Sequence, residues 1–186
     1  PTSNPWDALR ISGGAASGSA VAVAAGLVAA STACDTFGDL RLPAAHNGLT
    51  GLKASYGRIS RFGMTANASS FDQAGFITRT AEDAALLLQV AAGFDTRDST
   101  CSQNAVADYN SSLNQPLSGL RIGIARCLFD ASVDSRIADL VLASAGQLQQ
   151  LGAILIDIEL PHSAQSMACA SIIGSGEAST NMSRFD

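Results

Sequence analysis

The chain has 186 residues, of which 47% are hydrophobic and 15% are charged. This composition is sufficient to bury the core of one domain with at most a small appendage, and it excludes a disordered chain. Eleven basic residues stand against 16 acidic residues, so the formal net charge is −5. Because the phosphate backbone of a nucleic acid would be repelled overall, we expect no direct nucleic-acid partner.

The cysteines are widely spaced and form no CxxC pair, so the sequence predicts neither a metal site nor a redox motif. Reduced thiols of this kind are typical of a protein of the cytoplasm or of an organellar matrix. The chain begins with Pro1 rather than Met, so we expect a processed product or part of a longer protein. The four cysteines are Cys34, Cys101, Cys127 and Cys169.

The first predicted element is a helix of small apolar residues over about 19–30. Ser17 or Ser19 is the expected N-cap, and Gly26 is expected to weaken the helix. The apolar run SAVAVAAGLVAASTA over 19–33 is shorter than the ~20 residues that span a bilayer, and a single basic residue precedes it. We therefore interpret the run as a buried helix and expect no membrane partner.

The next signals are short. A strand is predicted over 32–35. A short helix is predicted over 42–48, because LPAAHNG has a proline near its start and a glycine at its end. Glycines and aromatic residues over 49–74 indicate turns and short strands. Residues 78–93 predict a helix with a threonine cap and an acidic first turn. Because its apolar residues are nearly continuous, we expect this helix to be buried on most sides.

The second half of the chain alternates strand and helix signals. A polar segment without periodicity over 94–118 indicates a surface loop. A strand, a helix and a strand in sequence predict a parallel crossover, which places the chain in the α/β class. The tail over 162–186 is predicted to be helical with interruptions at Gly174 and Gly176. The crossover elements are a strand over 119–126, a helix over 134–152 capped by Asp134, and a strand over 153–161.

Two patterns of possible catalytic or binding residues give little support to a site. GGAASGS over 13–19 is a glycine-rich loop before a helix, and such loops can bind phosphate. No lysine follows the loop as it would in a P-loop, and the spacing of the glycines is not GxGxxG. These differences favour a tight turn that lets the backbone come close to another site. His46 and His162 have no cysteine or aspartate at a catalytic spacing. We therefore expect helix-surface or capping roles for both histidines.

A third candidate is the charged cluster in ACDTFGDLRLPAA, which contains Asp35, Asp39 and Arg41. Asp39 and Arg41 either form a surface ion pair, which contributes little to stability, or belong to an active-site turn. The spacing of the charges leaves both interpretations open.

Three long stretches resemble the amidase signature family: NPWDALRISGGAASGSAVAVAAGLV, CDTFGDLRLPAAHNGLTGLKASYGRISRFGM and SSFDQAGFITRTAEDAALLLQVAAGFDTRDST. The resemblance implies an α/β fold with a mixed β-sheet sandwiched between helices, incomplete at both ends of this chain. It also implies that residues 1–186 form a partial amidase signature domain. Within it we expect a signature core over 1–100, a surface loop over 101–118, and a strand-helix-strand unit with a C-terminal helix over 119–186.

The resemblance also implies an activity. The family cleaves amides with a Ser, Ser, Lys triad, and no cofactor or metal is expected. The chain is most similar to the amidotransferase glutaminases of the family, which release ammonia from glutamine so that a partner subunit can convert glutamyl-tRNA into glutaminyl-tRNA. We therefore expect a small amide ligand and an amidotransferase-type partner subunit.

The residues that carry catalysis in the family are replaced here. The pattern GGSSGGS corresponds to residues 13–19, where Ala15 stands in place of the bridging serine and Ala16 in place of the next serine. The pattern DTGGSIR corresponds to residues 35–41, where Asp39 stands in place of the nucleophilic serine. The catalytic lysine of the family corresponds to a position before the start of this chain.

The resemblance places the oxyanion hole on the backbone N–H groups of Thr36, Phe37 and Gly38. Glycine is usual at the middle position. If the backbone there has a positive φ, Phe37 would be strained by about 1 to 2 kcal/mol, and its ring would enter the pocket.

These replacements predict a pseudo-amidase in which the Asp39 carboxylate lodges against the vacant amide donors as an internal anion. One alternative is an active amidase or amidotransferase subunit completed by a missing segment or a partner chain, with Ser17 or Ser19 as a displaced nucleophile. Another alternative is a truncated product with only a structural or binding role.

Overall fold

The computed structural model describes residues 2–185. By their internal contacts these residues fall into two compact units. Unit 1 comprises residues 2–113 and 173–185, and unit 2 comprises residues 114–172. Within residues 2–185, no helix is both long enough and apolar enough to cross a lipid bilayer.

Unit 1 contains a three-stranded antiparallel sheet. Its strands are β1 (Ser31–Asp35), β2 (Thr50–Lys53) and β3 (Gln73–Thr78), in the spatial order β1-β3-β2. The register pairs Cys34 with Ala74 and Lys53 with Gly75. The ends of β1 and β2 therefore lie on either side of the start of β3. The strand predicted over 32–35 is confirmed as β1, with one more residue at its start.

Three helices lie entirely within the described part of unit 1: α1 (Ser17–Ala24), α2 (Arg41–His46) and α3 (Ala81–Ala91). The side chains of α1, α2 and β3 share one core cluster, in which Ala20, Val23, Leu40 and Ile77 are fully buried. The predicted short helix over 42–48 is confirmed as α2, and a glycine with φ +67° follows its C-terminus. Small residues on α1 allow this helix to approach the sheet closely.

The prediction for α1 is wrong at both ends. The helix begins at Ser17 with Ala16 as its N-cap residue, and no side chain caps it. It ends at Ala24 rather than near residue 30. Gly26 has a φ of +73°, so it lies just beyond the helix, where a left-handed glycine ends helices well, and does not weaken its interior.

Helix α3 confirms its predicted cap and corrects its predicted burial. The Thr80 hydroxyl oxygen accepts a hydrogen bond from the backbone N–H of Asp83 at 3.1 Å. Ala84 and Ala85 are buried, but Leu86 is 50% exposed and Val90 is 86% exposed. The helix therefore buries one face only, whereas a continuous apolar run had predicted burial on most sides. Residues 94–118 contain neither helix nor strand, as predicted.

Unit 2 contains the predicted crossover. Strands β4 (Arg121–Ala125) and β5 (Ile154–Ile158) pair in parallel, and helix α4 (Ser135–Gln150) connects them. The Asp134 carboxylate accepts a hydrogen bond from the backbone N–H of Arg136 at 2.9 Å, which confirms the predicted N-cap. A strand, a helix and a parallel strand in this order are typical of the α/β class.

The last helix, α5 (Ser163–Met182), is followed by a short 3-10 helix over Ser183–Phe185. The helical tail is confirmed, but the predicted interruptions are absent, because α5 continues through Gly174 and Gly176. Its C-terminal half belongs to unit 1. There Gly174 lies against the ring of Phe37, and a Cβ atom on Gly174 would clash with the Phe37 Cζ atom.

Candidate functional site

The candidate site is the turn that connects β1 to α2. Strand β1 ends at Asp35 and α2 begins at Arg41, so five residues reverse the chain. Gly38 supplies a φ of +109°, a conformation that residues with a Cβ atom rarely adopt. Leu40 is fully buried in the core cluster of unit 1. The turn is therefore anchored at its C-terminal end by packing.

The Asp35 carboxylate organises the inside of the turn, and its residue is fully buried. It accepts hydrogen bonds from the backbone N–H groups of Gly38 at 2.8 Å, Leu40 at 3.3 Å and Arg41 at 3.2 Å. The Arg41 guanidinium donates two hydrogen bonds to this carboxylate, from Nε to Oδ2 at 2.9 Å and from Nη2 to Oδ1 at 3.0 Å. Of the two interpretations left open by the spacing, the surface ion pair of Asp39 with Arg41 is not observed, because Arg41 pairs with Asp35.

Burial of the Asp35 carboxyl opposes its ionisation, but the hydrogen bonds from the Arg41 side chain and from the Gly38 and Arg41 backbone outweigh that effect. The pKa of Asp35 is consequently held well below its usual value. Asp35 is therefore a permanent anion near neutral pH that cannot serve as a general base.

The Asp39 carboxylate lies outside this network, on two other amide donors. Its Oδ2 atom accepts hydrogen bonds from the backbone N–H groups of Thr36 at 3.1 Å and Phe37 at 3.2 Å. Asp39 therefore contacts two of the three backbone N–H groups that the resemblance assigns to the oxyanion hole, and its assignment to the nucleophile position stays a prediction. The third predicted donor behaves differently, because the Gly38 N–H is directed to Asp35.

Phe37 corrects a second expectation. Within residues 2–185, only glycines have a positive φ, so Phe37 does not carry the backbone strain that a left-handed conformation would impose. Gly38 takes that conformation instead. The Phe37 ring packs against Phe71, with ring centroids 5.0 Å apart, and against Gly174. The ring is accommodated because Gly174 has no side chain at this point.

Two site residues, Lys53 and Asp72, were missed by the sequence analysis. The ammonium group of Lys53, at the end of β2, donates hydrogen bonds to the carbonyl oxygens of Thr36 at 3.1 Å and Phe71 at 2.9 Å. Its Nζ atom also lies 3.4 Å from Oδ1 of Asp35. The only signal in the sequence is a charged residue between short predicted strands, which is more typical of a solvated position.

Asp72 is the second missed residue and is almost fully buried. Its Oδ1 atom accepts a hydrogen bond from the Thr36 hydroxyl at 2.6 Å and another from the backbone N–H of Ala68 at 3.1 Å. Its Oδ2 atom accepts a hydrogen bond from the backbone N–H of Asn67 at 2.7 Å. Asp72 therefore ties the residue that begins the turn to the loop that precedes β3.

The glycine-rich loop lies against the same turn. The backbone N–H of Ala16 donates to the carbonyl oxygen of Asp39 at 3.1 Å. A Cβ atom on Gly14 would lie 3.7 Å from the Cα atom of Asp39, whereas one on Gly13 would lie 2.5 Å from the Cα atom of Pro43. The loop is thus a close backbone approach to the turn, the role favoured by its spacing. Ala15 is exposed and contributes only a methyl group.

The candidate alternative nucleophiles both lie near the start of α1. Ser17 is the first residue of α1 and Ser19 lies two residues further along the helix, and among residues 2–185 no hydrogen bond connects either hydroxyl with Asp39. Burial, together with the Asp72 carboxylate, raises the pKa of the Cys34 thiol. A neutral thiol is a poor nucleophile, so Cys34 does not replace the missing serine.

The surroundings of the turn offer a small cavity but no metal centre. A cavity of about 240 Å³ in unit 1 is lined by residues that include Arg61, Met64, Asp72 and Arg97. Within residues 2–185, no three side chains of the His, Cys, Asp and Glu types converge as metal ligands. His46 ends α2, and His162 immediately precedes α5.

Comparison with known proteins identifies the family. The family described as Amidase matches residues 1–186. The A subunit of glutamyl-tRNA(Gln) amidotransferase from Pseudomonas putida is 53% identical over 183 residues, which cover 98% of this chain and 38% of that protein. The chain therefore spans well under half the length of the curated relatives that it matches.

Solved structures agree on the fold. The A subunit of glutamyl-tRNA(Gln) amidotransferase from Thermotoga maritima superposes with a TM-score of 0.91 at 36% identity, covering 98% of this chain and 40% of that chain. The native peptide amidase of Stenotrophomonas maltophilia superposes with a TM-score of 0.85 at 32% identity, covering 99% of this chain and 38% of that chain. With its α/β fold and its match across all 186 residues, the chain belongs to the amidase family.

Proposed function

We propose that this chain is an amidase-family domain without amide-hydrolysing activity of its own, retained for binding. The observation that carries the proposal is the position of Asp39, whose Oδ2 atom accepts hydrogen bonds from the backbone N–H groups of Thr36 and Phe37. In an active amidase, paired N–H groups of this kind stabilise the negative oxygen of the tetrahedral intermediate. Here the protein's own carboxylate occupies them.

The chemistry of the replacements supports the same conclusion. A carboxylate that attacked an amide carbon would form an anhydride, a less stable intermediate than the ester that a serine forms. The negative charge of Asp39 would also oppose the charge that develops on the amide oxygen. Ala15 has no hydroxyl to transfer a proton. Because members of a catalytic triad act as a unit, the loss of two serines removes most of the rate enhancement.

The names of the relatives support a binding role within an assembly. Proteins 53% identical to this chain are named as the A subunit of glutamyl-tRNA(Gln) amidotransferase, which implies other subunits in those proteins. We infer that this chain contacts an amidotransferase-type partner subunit. A small amide ligand, bound without turnover near the turn, is consistent with the retained backbone of the site.

Ammonia release tests the proposal directly. The purified protein is incubated with glutamine, asparagine and simple aliphatic amides, and ammonia is measured against the buffer rate. We expect no release by the unsubstituted protein or by Asp39→Ala, Ser17→Ala and Ser19→Ala variants. Asp139→Ala is the matched control, because it removes an exposed carboxylate from α4.

Two outcomes would contradict the proposal. Release that is abolished by Asp39→Ala would show that the carboxylate takes part in catalysis. Release that is abolished by Ser17→Ala or Ser19→Ala, but not by Asp139→Ala, would reveal a displaced nucleophile and favour the interpretation as an active amidase.

A further inference from the structure

Lys53 is the only lysine among the 186 residues, and its side chain is 21% exposed. It extends from the end of β2 toward the turn between β1 and α2. Its ammonium contacts three oxygen atoms: the carbonyl oxygens of Thr36 and Phe71 and the Oδ1 atom of Asp35. The ammonium group has three hydrogens to donate: it donates hydrogen bonds to the two carbonyl oxygens, and it forms an ion pair with the Asp35 carboxylate.

The contact with the Thr36 carbonyl determines the direction of a neighbouring N–H group. The carbonyl of Thr36 and the N–H of Phe37 belong to the same peptide unit. All peptide bonds within residues 2–185 are trans, and in a planar trans peptide the C=O and N–H bonds point in opposite directions. A carbonyl held by Lys53 therefore directs the Phe37 N–H away from Lys53, toward the position occupied by the Asp39 carboxylate.

The other donor to Asp39 is held by different contacts. The Thr36 N–H belongs to the peptide unit that Asp35 and Thr36 share, whose carbonyl does not contact Lys53. The Thr36 side chain is fixed instead by its hydroxyl bond to Asp72 at 2.6 Å. The two donors to the same carboxylate oxygen thus belong to different peptide units, and Lys53 holds the carbonyl of the unit that carries the Phe37 N–H.

We propose that Lys53 is a positioning residue that orients the Phe37 N–H as an anion donor, through its hydrogen bond to the Thr36 carbonyl. This inference rests on the proposed function, in which that N–H holds the Asp39 carboxylate.

Amide hydrogen exchange, measured by NMR for single residues, tests the inference. In Lys53→Met, the hydrogen of Phe37 is expected to exchange at least tenfold faster, because its peptide unit is free to rotate away from Asp39. The hydrogens of Thr36 and of Ile77 in β3 are expected to change less than threefold. General destabilisation would accelerate all three, so this split distinguishes positioning from a structural role.

A conservative variant and the unsubstituted protein provide further readings. Lys53→Arg keeps the hydrogen-bond donors and the positive charge, so the Phe37 amide hydrogen is expected to exchange as slowly as in the unsubstituted protein. This variant can still be measured if Lys53→Met fails to fold. With ¹⁵N-labelled lysine, the ammonium resonance that disappears in Lys53→Arg is expected to be visible near pH 7 in the unsubstituted protein, because its hydrogens are bonded. Fast exchange of this ammonium, or unchanged exchange of Phe37 in Lys53→Met, would overturn the inference.

Asp39→Ala, which removes the acceptor, separates this inference from the proposed function. If the Asp39 carboxylate does not occupy the donors, exchange at Thr36 and Phe37 is unchanged in Asp39→Ala, and the proposed function fails. If Asp39→Ala accelerates exchange at both positions while Lys53→Met accelerates neither, the donors are occupied and only the positioning role of Lys53 fails.

Discussion

The glycine-rich loop over 13–19 and the turn over 35–41 each contain a position that the resemblance assigns to a catalytic serine, and the residues at these two positions make different contacts. In the loop, Ala15 is exposed and contributes only a methyl group. In the turn, Asp39 accepts two backbone hydrogen bonds. The comparison teaches that the first residue adds no polar contact to the site, whereas the second adds an acceptor for two backbone N–H groups. Four substitutions test this difference, and their expected effects decrease from the first to the last.

The largest effect is expected from Asp35→Asn, because it leaves the charges of Arg41 and Lys53 without their carboxylate partner. Breaking a buried ion pair from one side typically costs about 3–5 kcal/mol of unfolding free energy. Urea denaturation at pH 7 measures this loss. Asp139→Asn, at an exposed position, is the control. An equal loss of unfolding free energy in the two variants would show that the contacts of the Asp35 carboxylate do not stabilise the protein.

The same variant makes a prediction about pH. The pKa of Asp35 is lowered in the folded protein, so its stabilising effect is complete above the unfolded pKa of about 4 and is lost as the pH falls below that value. The difference in unfolding free energy between the unsubstituted protein and Asp35→Asn should therefore shrink as the pH is lowered from about 5 to about 3. A difference that stays constant over this range would contradict the assignment.

The second effect concerns the loop. Gly13 has a φ of +105°, and a Cβ atom there would lie 2.5 Å from the Pro43 Cα atom. Gly13→Ala should therefore cost about 2–4 kcal/mol through backbone strain and overpacking. Gly18→Ala in α1 is the control, since no atom lies near its added methyl group and alanine favours helix. Equal thermal denaturation midpoints for the two variants would refute a close approach of the loop.

The third effect tests the internal anion. Asp39→Ala should lower the unfolding free energy by about 1–2 kcal/mol, because two backbone N–H groups lose a charged acceptor. Asp39→Asn keeps the shape and an uncharged oxygen acceptor, so its loss should be smaller. Thermal denaturation of both variants measures the order. A midpoint for Asp39→Ala at or above that of the unsubstituted protein would show that the carboxylate does not stabilise the turn.

The smallest effect is expected from Ala15→Ser, which returns the family's serine to the loop. The position is exposed, so the unfolding free energy should change by less than about 0.5 kcal/mol. Ammonia release from glutamine should stay at the buffer rate, because a single restored member of a triad restores little activity. Release by Ala15→Ser alone would weaken the comparison, since Asp39 would then not block the site.

Local signals predicted much of the fold. Thr80 and Asp134 were recognised as helix caps because a cap is a contact between residues two or three positions apart. The parallel pairing of β4 with β5 followed from the order of strand, helix and strand. The C-terminal end of helix α1 was predicted wrongly because glycine is the only residue in this run of small apolar residues that signals the end of a helix. That glycine, Gly26, lies beyond the residue at which the helix ends.

The sequence by itself determined the family and the α/β class, because these follow from residue order alone. Only the tertiary structure decided which groups from distant parts of the chain form hydrogen bonds at the turn. Lys53 meets a carbonyl 17 positions away, and Asp72 meets a hydroxyl 36 positions away. Such contacts depend on strand register and loop path, so no local pattern in the sequence predicts that Lys53 and Asp72 reach the turn.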